Sequence, residues 1–377
     1  MVGETDCLYM KEAIKLAKKG LGWVNPNPMV GAVIVKDKKI IGRGYHKKYG
    51  YPHAEREALA SCTQDPEGAT MYVSLEPCCH YGKTAPCTEA IINSKIKRLV
   101  IASSDPNPLA SGKGIEILRK EGIEVVEGVL KEECDKVNEV FFHYIKTKTP
   151  YLVMKYAMTI DGKIASRTGK SKWISGSESR ANVHLDRHKY SAIMVGVNTV
   201  IKDDPMLNCR IEEIENHIDI DDLKHQLKNP VRIICDSKLR TPLNSRIINT
   251  AKDNETIIAT CEEDNKKLER YIEKKCKIVK VKKMDERIDL KDLMKKLGEL
   301  KIDSVFLEGG STLNWSALES NIVNKVQVYI APKLFGGENA KSPISGLGID
   351  SPSQAFRMRK KTVKFLGEDV LIEGEVE

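Results

Sequence analysis

The sequence predicts a two-domain α/β protein in which each domain is a sheet covered by helices. Three observations lead to this fold class. The chain has 377 residues, more than one hydrophobic core usually serves, and 41% of them are hydrophobic, enough to fill two cores. Short apolar runs alternate with helix-like runs in both halves. The polar stretch "KTKTP" interrupts this alternation near Thr149, and we place the boundary there, between domains 1–148 and 149–377.

The elements of the first half follow from its hydrophobic spacing. The stretch "LYMKEAIKLAKKG" carries apolar residues at helical spacing and predicts a helix that ends at Gly20. The runs "MVGAVIV", "ATMYVSL" and "KRLVIAS" predict short buried strands. Further helices are predicted at 53–62, 87–94 and 113–121. This order of elements describes a helix-covered sheet.

The second half repeats the alternation with more strands. A strand at 151–157 is followed by the strand-like runs "SAIMVGV", "VRIICDS", "ETIIAT", "KIVKV", "SVFLEGG" and "KVQVYIA". Helices are predicted at 263–275 and 290–299. The highly charged stretch 211–229 predicts a surface excursion, and "KFLGEDVLIEG" predicts one last strand.

Composition and charge narrow the class of protein. The start "MVGETDCLYMKEA" lacks the basic and apolar segments of a signal peptide, and no apolar run approaches membrane-spanning length. Ten cysteines without an export signal indicate thiols or metal ligands in a reducing compartment, so we expect a cytoplasmic protein without a membrane partner. The net charge of +8, from 61 basic and 53 acidic residues, is typical of a solvated lysine-rich surface.

The first half contains the residues of a catalytic zinc site. His53 opens a predicted helix, and Cys78 and Cys87 lie at two loop positions. Three such ligands leave a fourth zinc position for water, and Glu55 is placed to move that water's proton to a leaving amine. This is the H-x-E and P-C-x-x-C signature of zinc deaminases, except that eight residues separate Cys78 from Cys87. Cys79 remains an alternative ligand, and the ligand types favour one zinc per chain without excluding iron.

The inserted "CHYGKTAPC", with "NPNPMVGAVIV", "GRGYHKKYGYPHAE" and "VSLEPC", closely resembles the deaminase half of the bifunctional riboflavin biosynthesis enzymes. The resemblance spans nearly all of residues 8–146. It implies a cytidine deaminase-like fold and hydrolytic deamination of a small phosphorylated diaminopyrimidinone that carries a ribosylamino group. Carried over by motif position, the substrate-binding residues are Asn27, His46, His80 and Lys83.

The second half lacks a G-x-G-x-x-G fingerprint, but "IMVGVNTV" and "VFLEGGSTLNW" each place a glycine after an apolar strand. Alone, these glycines are as typical of a tight turn as of a phosphate site. Together with "VMKYAMTIDGKIA", "GKSKWISG", "TVIKDDPMLNCR" and "ICDS", however, they are similar in order and spacing to the reductase half of the same family, over roughly 150–340.

This second resemblance implies a dihydrofolate reductase-like fold and reduction of the ribose to a ribityl chain by NADPH. The implied substrate-binding residues are Lys155, Ser171, Arg187, Leu207, Arg210 and Glu308, with Lys155 and Glu308 near the reacting carbon. An arginine such as Arg187 or Arg210 suits the substrate phosphate. The implied cofactor-binding residues are Ala157, Trp173, Thr199, Asp203, Ser237, Gly310, Ser311, Thr312, Leu313, Asn314, Trp315 and Ser316. Asp203 and Asp204 are both acids within reach of the cofactor.

The resemblance therefore predicts a bifunctional zinc hydrolase and NADPH-dependent oxidoreductase that forms a homo-oligomer. A nucleic-acid deaminase would share the zinc chemistry, but a reductase half is not needed for it, and the chain has no basic stripe interleaved with aromatic residues. A zinc-stabilised binding module with a degenerate reductase scaffold is the third hypothesis. It conflicts with the presence of every residue that the chemistry demands.

Overall fold

The structure, a computed structural model, describes residues 3–81, 85–107, 111–215 and 227–377. It divides into two compact units, Met1–Lys148 and Thr149–Glu377. Within the described ranges, no helix has both the length and the apolar character needed to cross a membrane.

The first unit is a five-stranded sheet with helices on both faces. Its strands are β1 (Gly31–Lys36), β2 (Lys39–Tyr45), β3 (Thr70–Leu75), β4 (Arg98–Ser103) and β5 (Glu124–Val126). Its helices are α1 (Glu4–Lys18), α2 (Ala54–Ala60), α3 (Cys87–Asn93), α4 (Lys113–Lys120), α5 (Lys131–Val137) and α6 (Glu139–Thr147). The strand order is β2-β1-β3-β4-β5, with β1 antiparallel to β2 and β3, and with β3, β4 and β5 parallel.

Strand β1 shows why this sheet needs helices on both sides. Ala32 and Ile34 point into a core shared with α2, α3 and α4, whereas Val33 and Val35 point into a second core shared with α1 and α5. Because successive side chains of a strand point to opposite faces, an uninterrupted apolar run buries both faces. The fold class predicted from these runs is confirmed.

Helix α2 lies against strand β2 at a distance that only glycine allows. A Cβ atom on Gly44 would lie 2.2 Å from the backbone nitrogen of Ala58 and 2.4 Å from the carbonyl oxygen of Ala54. The helix therefore rests directly on the strand backbone. This contact fixes the start of α2, where His53 is the N-cap residue.

The second unit contains a larger, mostly parallel sheet. Its strands are β6 (Tyr151–Thr159), β7 (Ala192–Gly196), β8 (Val231–Cys235), β9 (Thr256–Thr260), β10 (Lys277–Lys280), β11 (Lys283–Met284), β12 (Arg287–Ile288), β13 (Ser304–Leu307), β14 (Lys325–Ala331), β15 (Met358–Leu366) and β16 (Asp369–Val376). Its helices are α7 (Ser177–Lys189), α8 (Val197–Asp203), α9 (Arg246–Asn249), α10 (Asn265–Glu273), α11 (Leu290–Glu299) and α12 (Ser311–Glu319), and short 3₁₀ turns lie at Ile211–Glu213 and Pro352–Gln354.

The nine-stranded sheet has the order β10-β9-β8-β7-β13-β6-β14-β16-β15, while β11 and β12 form a separate hairpin. All pairings from β10 to β14 are parallel, and β16 pairs antiparallel with β14 and β15. Ligands of open parallel sheets bind outside the carboxyl ends of the strands. The ends of β6, β7, β8 and β13 meet at one edge of this sheet.

Two expectations differ from the structure at the edges of this unit. The predicted single last strand is a β-hairpin, β15 and β16, whose turn contains Gly367 at φ +61°. A backbone at positive φ favours glycine, so this residue allows the chain to reverse direction. Of the predicted surface excursion 211–229, residues 216–226 lie outside the described residues.

Candidate active sites

The first unit brings together the three predicted metal ligands. His53 is the N-cap residue of α2, Cys78 follows β3, and Cys87 is the first residue of α3. The Nδ1 atom of His53 lies 3.4 Å from the Sγ atoms of both cysteines, and all three ligand atoms lie within 4.8 Å of one another. Two helix starts and one strand end thus converge on a single point.

The donors in this cluster fit zinc. One imidazole nitrogen and two thiolates are borderline to soft ligands, and three protein ligands leave a tetrahedral ion one position for water. The hydrogen bond from the Cys87 thiol, and then that of His53, lowers the pKa of Cys78 well below its usual value, although burial opposes this shift. The backbone nitrogen of Cys87 also donates to the Cys78 sulfur, at 3.4 Å. Cys79 is not part of the cluster of described ligand atoms.

Glu55 lies beside this cluster without belonging to it. It is the second residue of α2 and only 3% exposed. Burial, followed by the negative charge of Cys78, raises the pKa of Glu55 to about 7. The nearby Cys87 thiol favours the ionised form of this carboxylate, so Glu55 lies against the ligand shell. A single residue, Ala54, thus separates the candidate ligand His53 from this buried carboxylate.

Two predicted substrate residues lie next to His53. His46 is 2% exposed, and its ring meets the ring of His53 edge-on, with the ring centres 5.4 Å apart. Its Nδ1 lies 3.0 Å from the carbonyl oxygen of Pro52, and its Nε2 lies 3.3 Å from Nδ2 of Asn27. Since a carbonyl only accepts, Nδ1 carries the proton, and Nε2 accepts from the Asn27 amide. Burial lowers the pKa of His46, which keeps this tautomer neutral.

The other two predicted substrate residues are placed differently. His80 is exposed, and its ring is among the groups that influence the pKa of Asp105, which burial raises. Lys83 lies outside the described residues.

The sequence analysis missed Glu76, a buried residue whose Oε2 accepts from the backbone nitrogens of Asp105 and Gly112, at 3.2 and 3.1 Å. Glu76 thereby ties Asp105 and Gly112 to the strand end that carries Cys78, and its place in "LEPC" was the available signal.

The second unit contains a cavity of about 1370 Å³ at the carboxyl ends of β6, β7, β8 and β13. Most of the predicted reductase residues line it. Of the residues predicted to bind the substrate, Lys155, Ser171, Arg187, Leu207 and Glu308 line it. Of those predicted to bind the cofactor, the lining includes Ala157, Thr199, Asp203, Ser237, Gly310, Ser311, Thr312, Leu313, Asn314 and Ser316. The cavity is large enough for a dinucleotide and a second small molecule.

Three predicted residues do not line this cavity. Arg210 donates to Oε1 of Glu213 at 3.2 Å and is half-exposed. Trp173 is 61% exposed, and the guanidinium of Arg180 lies 4.5 Å from the centre of its ring. Trp315 points to the other side of α12, where it packs edge-on against Phe356. Helical spacing explains the last case, because neighbouring residues of a helix face different directions.

A buried charge cluster lies in the cavity wall. The Glu308 carboxylate accepts two hydrogen bonds from the Arg187 guanidinium, at 2.7 and 3.1 Å, and lies 3.9 Å from Nζ of Lys155. Burial alone would raise the pKa of Glu308, but the charges of Arg187 and Lys155 lower it to about 2. Burial lowers the pKa of Lys155, whose ammonium also lies 5.5 Å from the ring centre of Tyr329. Tyr329 is a neighbour that the sequence analysis missed.

The contacts of Arg187 bear on its predicted role at the substrate phosphate. Its Nε and one terminal nitrogen bind Glu308, and its other terminal nitrogen donates to the carbonyl oxygen of Asn208 at 3.0 Å. A guanidinium has five donor hydrogens, and three of them are occupied by these contacts. Arg187 therefore forms an ion pair with Glu308. Two donor hydrogens of its guanidinium remain for the substrate phosphate.

The start of α12 is the part of the cavity that fits a dinucleotide diphosphate. Gly310 is the N-cap residue and makes no side-chain cap, so the backbone N–H groups of the first turn are open to an anion. Apart from the chain neighbours of Gly310, the Thr199 hydroxyl is the one described group within 4 Å of the position where a Cβ on Gly310 would lie. Asp203 lines the cavity, whereas Oδ1 of Asp204 accepts from the backbone nitrogen of Arg246 at 2.8 Å.

Comparisons with known proteins agree for both units. Residues 3–103 match the cytidine and deoxycytidylate deaminase zinc-binding region, and residues 150–372 match the RibD C-terminal domain. Riboflavin biosynthesis protein RibD of Actinobacillus pleuropneumoniae is 54% identical over 98% of this chain and 95% of its own length. The Aquifex aeolicus protein of the same name is 47% identical over 99% of both chains.

Solved structures give the same result. Acinetobacter baumannii RibD superposes with a TM-score of 0.87, at 35% identity and over 99% of both chains. A deaminase and reductase from Thermotoga maritima superposes with a TM-score of 0.84, at 40% identity and over 99% of both chains. Zinc and NADPH are the cofactors of the two domain types that this chain combines. The chain therefore belongs to the RibD family, as a bifunctional deaminase and reductase of riboflavin biosynthesis.

Proposed function

We propose that the first unit deaminates 2,5-diamino-6-(5-phosphoribosylamino)pyrimidin-4(3H)-one and that the second unit then reduces the ribosyl group of the product to give 5-amino-6-(5-phosphoribitylamino)uracil. The proposal rests on the similarity to one solved structure, together with the two sites described above. Over 99% of its length, this chain superposes on the Thermotoga maritima diaminohydroxyphosphoribosylaminopyrimidine deaminase/5-amino-6-(5-phosphoribosylamino)uracil reductase, and it contains both a ligand cluster and a reductase cavity.

In the first unit, His53, Cys78 and Cys87 would hold the metal ion. Zinc in such a site acidifies a water molecule and so supplies a nucleophile at neutral pH. The Glu55 carboxylate accepts the proton of the attacking water and returns it to the leaving 2-amino group, which departs as ammonia. Its burial keeps bulk water from competing for that proton.

The side chains around this centre would bind and orient the pyrimidine. Asn27 and His46 form a hydrogen-bonded pair directly beside His53, from where they would contact the bound pyrimidine. The neutral Nδ1–H tautomer of His46 is held by Pro52, which fixes the ring orientation. We assign His80 and Lys83 to the polar and phosphate groups of the substrate by motif position.

In the second unit, the ribosylamine opens to an imine before reduction. NADPH supplies the hydride that is added to the imine carbon. The Glu308 carboxylate, kept ionised by Arg187 and Lys155, would stabilise positive charge on the protonated imine. The Lys155 ammonium would donate a proton to the ring oxygen as its bond to the same carbon breaks, and its lowered pKa favours that transfer.

The cofactor and substrate would occupy different parts of the cavity. The first turn of α12, from Gly310 to Leu313, would bind the cofactor diphosphate through backbone N–H groups, while Thr199, Asp203 and Ser237 line the same side. Ser171, Leu207 and the Glu308 cluster would contact the substrate. Arg210, Trp173 and Trp315 would take part only if ligands reach beyond the cavity wall.

The proposal includes the setting of the enzyme. We propose a cytoplasmic homo-oligomer that acts on small phosphorylated pyrimidines and has neither a nucleic-acid nor a membrane partner. Light scattering of the purified chain tests the oligomer. Measurement of nucleic acid that copurifies with the chain tests the partner.

A mass-resolved assay of the purified, zinc-loaded chain with the diaminopyrimidinone substrate tests the chemistry. We expect the deaminated product and ammonia without NADPH, and the ribityl product only when NADPH is added. Ammonia release without any reduction would overturn the function of the second unit. Absence of turnover with zinc bound would overturn both and favour the nucleic-acid deaminase.

A further inference from the structure

Arg232 is a charged side chain in the interior of the second unit. It lies on β8 and is 0% exposed. Within the described part of the chain it forms no ion pair with a carboxylate. Burial lowers the pKa of Arg232 to about 10, so the guanidinium still carries its charge at neutral pH. A buried charge without a counterion is tolerated only where hydrogen bonds replace its water.

Neutral oxygen atoms from several segments replace that water. Nε and one terminal nitrogen share the Thr256 hydroxyl, at 3.0 and 2.7 Å. The same terminal nitrogen also donates to the carbonyl oxygens of Ile247, Thr250 and Asn254. The second terminal nitrogen donates to the Thr250 hydroxyl at 2.9 Å and to the carbonyl oxygen of Met206 at 3.2 Å. Only the last of these contacts leads directly to the cavity.

Met206 belongs to residues 205–208, which we call the strap. Pro205 and Leu207 line the cavity. Leu207 has a φ of +52°, a left-handed conformation that a leucine adopts at an energetic cost, so its neighbours must hold it in place. On its other side, the carbonyl oxygen of Asn208 accepts a hydrogen bond from Arg187.

The strap is thus held by two guanidinium groups that approach it from opposite sides of Leu207. Arg232 binds the preceding carbonyl from the unit's interior, and Arg187 binds the following carbonyl from the charge cluster in the cavity wall. An apolar side chain could fill the interior position on β8, but it would leave the Met206 carbonyl without this partner. The contact with Met206 gives the buried charge a role beyond packing.

We propose that Arg232 is a positioning residue of the reductase: by fixing the Met206 carbonyl it keeps Leu207 in its left-handed conformation against the substrate. The inference rests on the proposed reduction of a ribosylamine in this cavity. It adds a residue that touches neither substrate nor cofactor and acts only through the strap.

Replacement of the guanidinium by an ammonium tests this role. Arg232→Lys keeps the charge but loses the planar fork that reaches Met206 and Thr256 together. With the deaminated product as substrate, we expect KM to rise about ten-fold or more, because small displacements of a binding wall weaken substrate alignment. The KM for NADPH and the rate of deamination should stay close to the wild-type values.

Thr250→Val is the matched control, because it removes one acceptor of the same terminal nitrogen and leaves the Met206 carbonyl in place. We expect it to lower the melting temperature while leaving the KM for the deaminated product unchanged. Equal KM values for Arg232→Lys and wild type, or the same rise in Thr250→Val, would reduce Arg232 to a purely structural residue. A wild-type enzyme that fails to reduce the product would instead refute the proposed function.

Leu207→Gly provides a second route if Arg232→Lys does not bind NADPH and so is not folded. Glycine relieves the left-handed strain and removes the side chain that faces the substrate, without touching β8. We expect a rise in the KM for the deaminated product, again with an unchanged KM for NADPH. An unchanged KM for the deaminated product would show that the strap is not a substrate wall, and the role of Arg232 would fall with it.

Discussion

The two candidate sites differ in how the chain builds them. The metal cluster takes its ligands from 53–87, and each ligand is a residue type that few other functions require. The reductase cavity takes its lining from β6 through the residues around 340, and that lining comes from many separate segments of the unit. The comparison teaches that the first site depends on the identity of single atoms. The second site depends on the position of whole segments and on the buried charge cluster of Lys155, Arg187 and Glu308.

The sharpest test of that difference is the removal of one metal ligand. In Cys87→Ser, we expect bound zinc to fall by more than about 100-fold in affinity and deamination to disappear, because a serine hydroxyl is a poor zinc ligand. Metal content by atomic emission and ammonia release measure the two effects. The rate of reduction of the deaminated product should not change.

Cys79→Ser is the matched control for this experiment. Cys79 is adjacent in sequence to Cys78 but lies outside the cluster of ligand atoms. We expect this variant to keep its zinc and its deamination rate. Zinc loss in Cys79→Ser with retention in Cys87→Ser would exchange the roles of the two cysteines.

A second large effect separates the proton carrier from the ligands. Glu55→Gln should retain zinc and lower the rate of deamination by about 10²–10⁴-fold, the usual contribution of a general acid and base. Glu57→Gln is the control on the same helix, since Glu57 forms a partly exposed ion pair with Lys47. We expect Glu57→Gln to be nearly as active as wild type. Zinc loss in Glu55→Gln would make Glu55 a ligand.

The contrast between the sites also explains what could be predicted from the sequence. His53, Glu55, Cys78 and Cys87 were found from residue type and spacing, because zinc chemistry permits few alternatives. Strand β2 was missed, since Gly42 and Gly44 lower its strand propensity and are needed for close contact with α2. In this case a packing requirement outweighs a local preference.

The cavity residues were available only through resemblance, and resemblance does not give orientation. The exposed ring of Trp173 and the inward position of Trp315 depend on packing of the whole unit. The commitment of Arg187 to Glu308 depends on a contact between residues 121 positions apart. No local pattern encodes contacts of this range, so the ion pair of Arg187 and Glu308 could not be predicted from the sequence.

The charge cluster is the point at which a single change should damage the second site. Glu308→Gln leaves the Arg187 and Lys155 cations without their partner at positions that are 13% and 15% exposed. We expect a loss of about 3–5 kcal/mol in the free energy of unfolding and loss of reduction. Urea unfolding followed by the fluorescence of Trp173 and Trp315 measures the first effect. Glu286→Gln, a control at an exposed ion pair of the same cavity, should leave the free energy of unfolding close to the wild-type value.

The pH dependence of stability tests the same cluster. The pKa of Glu308 is lowered from 4.5 to about 2, so its contribution is fully present above about 4.5 and is lost as the pH falls through about 2. We expect the difference in unfolding free energy between wild type and Glu308→Gln to shrink by about 3 kcal/mol across this range. A difference that does not change with pH would mean that the ion pair contributes little.

The smallest expected effects separate two neighbouring acids. Asp203 ends α8 and lines the cavity, whereas Asp204 has a φ of +39° and binds the backbone of Arg246. Asp203→Ala should raise the KM for NADPH about two-fold to ten-fold through the loss of one hydrogen bond. It should not lower stability, because a negative charge at a helix C-terminus is unfavourable.

Asp204→Ala should lower the free energy of unfolding by about 1–2 kcal/mol and leave the KM for NADPH unchanged. If instead Asp204→Ala raises the KM for NADPH and Asp203→Ala lowers the free energy of unfolding, Asp204 is the acid that faces the cofactor. The end of α8 would then present Asp204 to the cavity in place of Asp203.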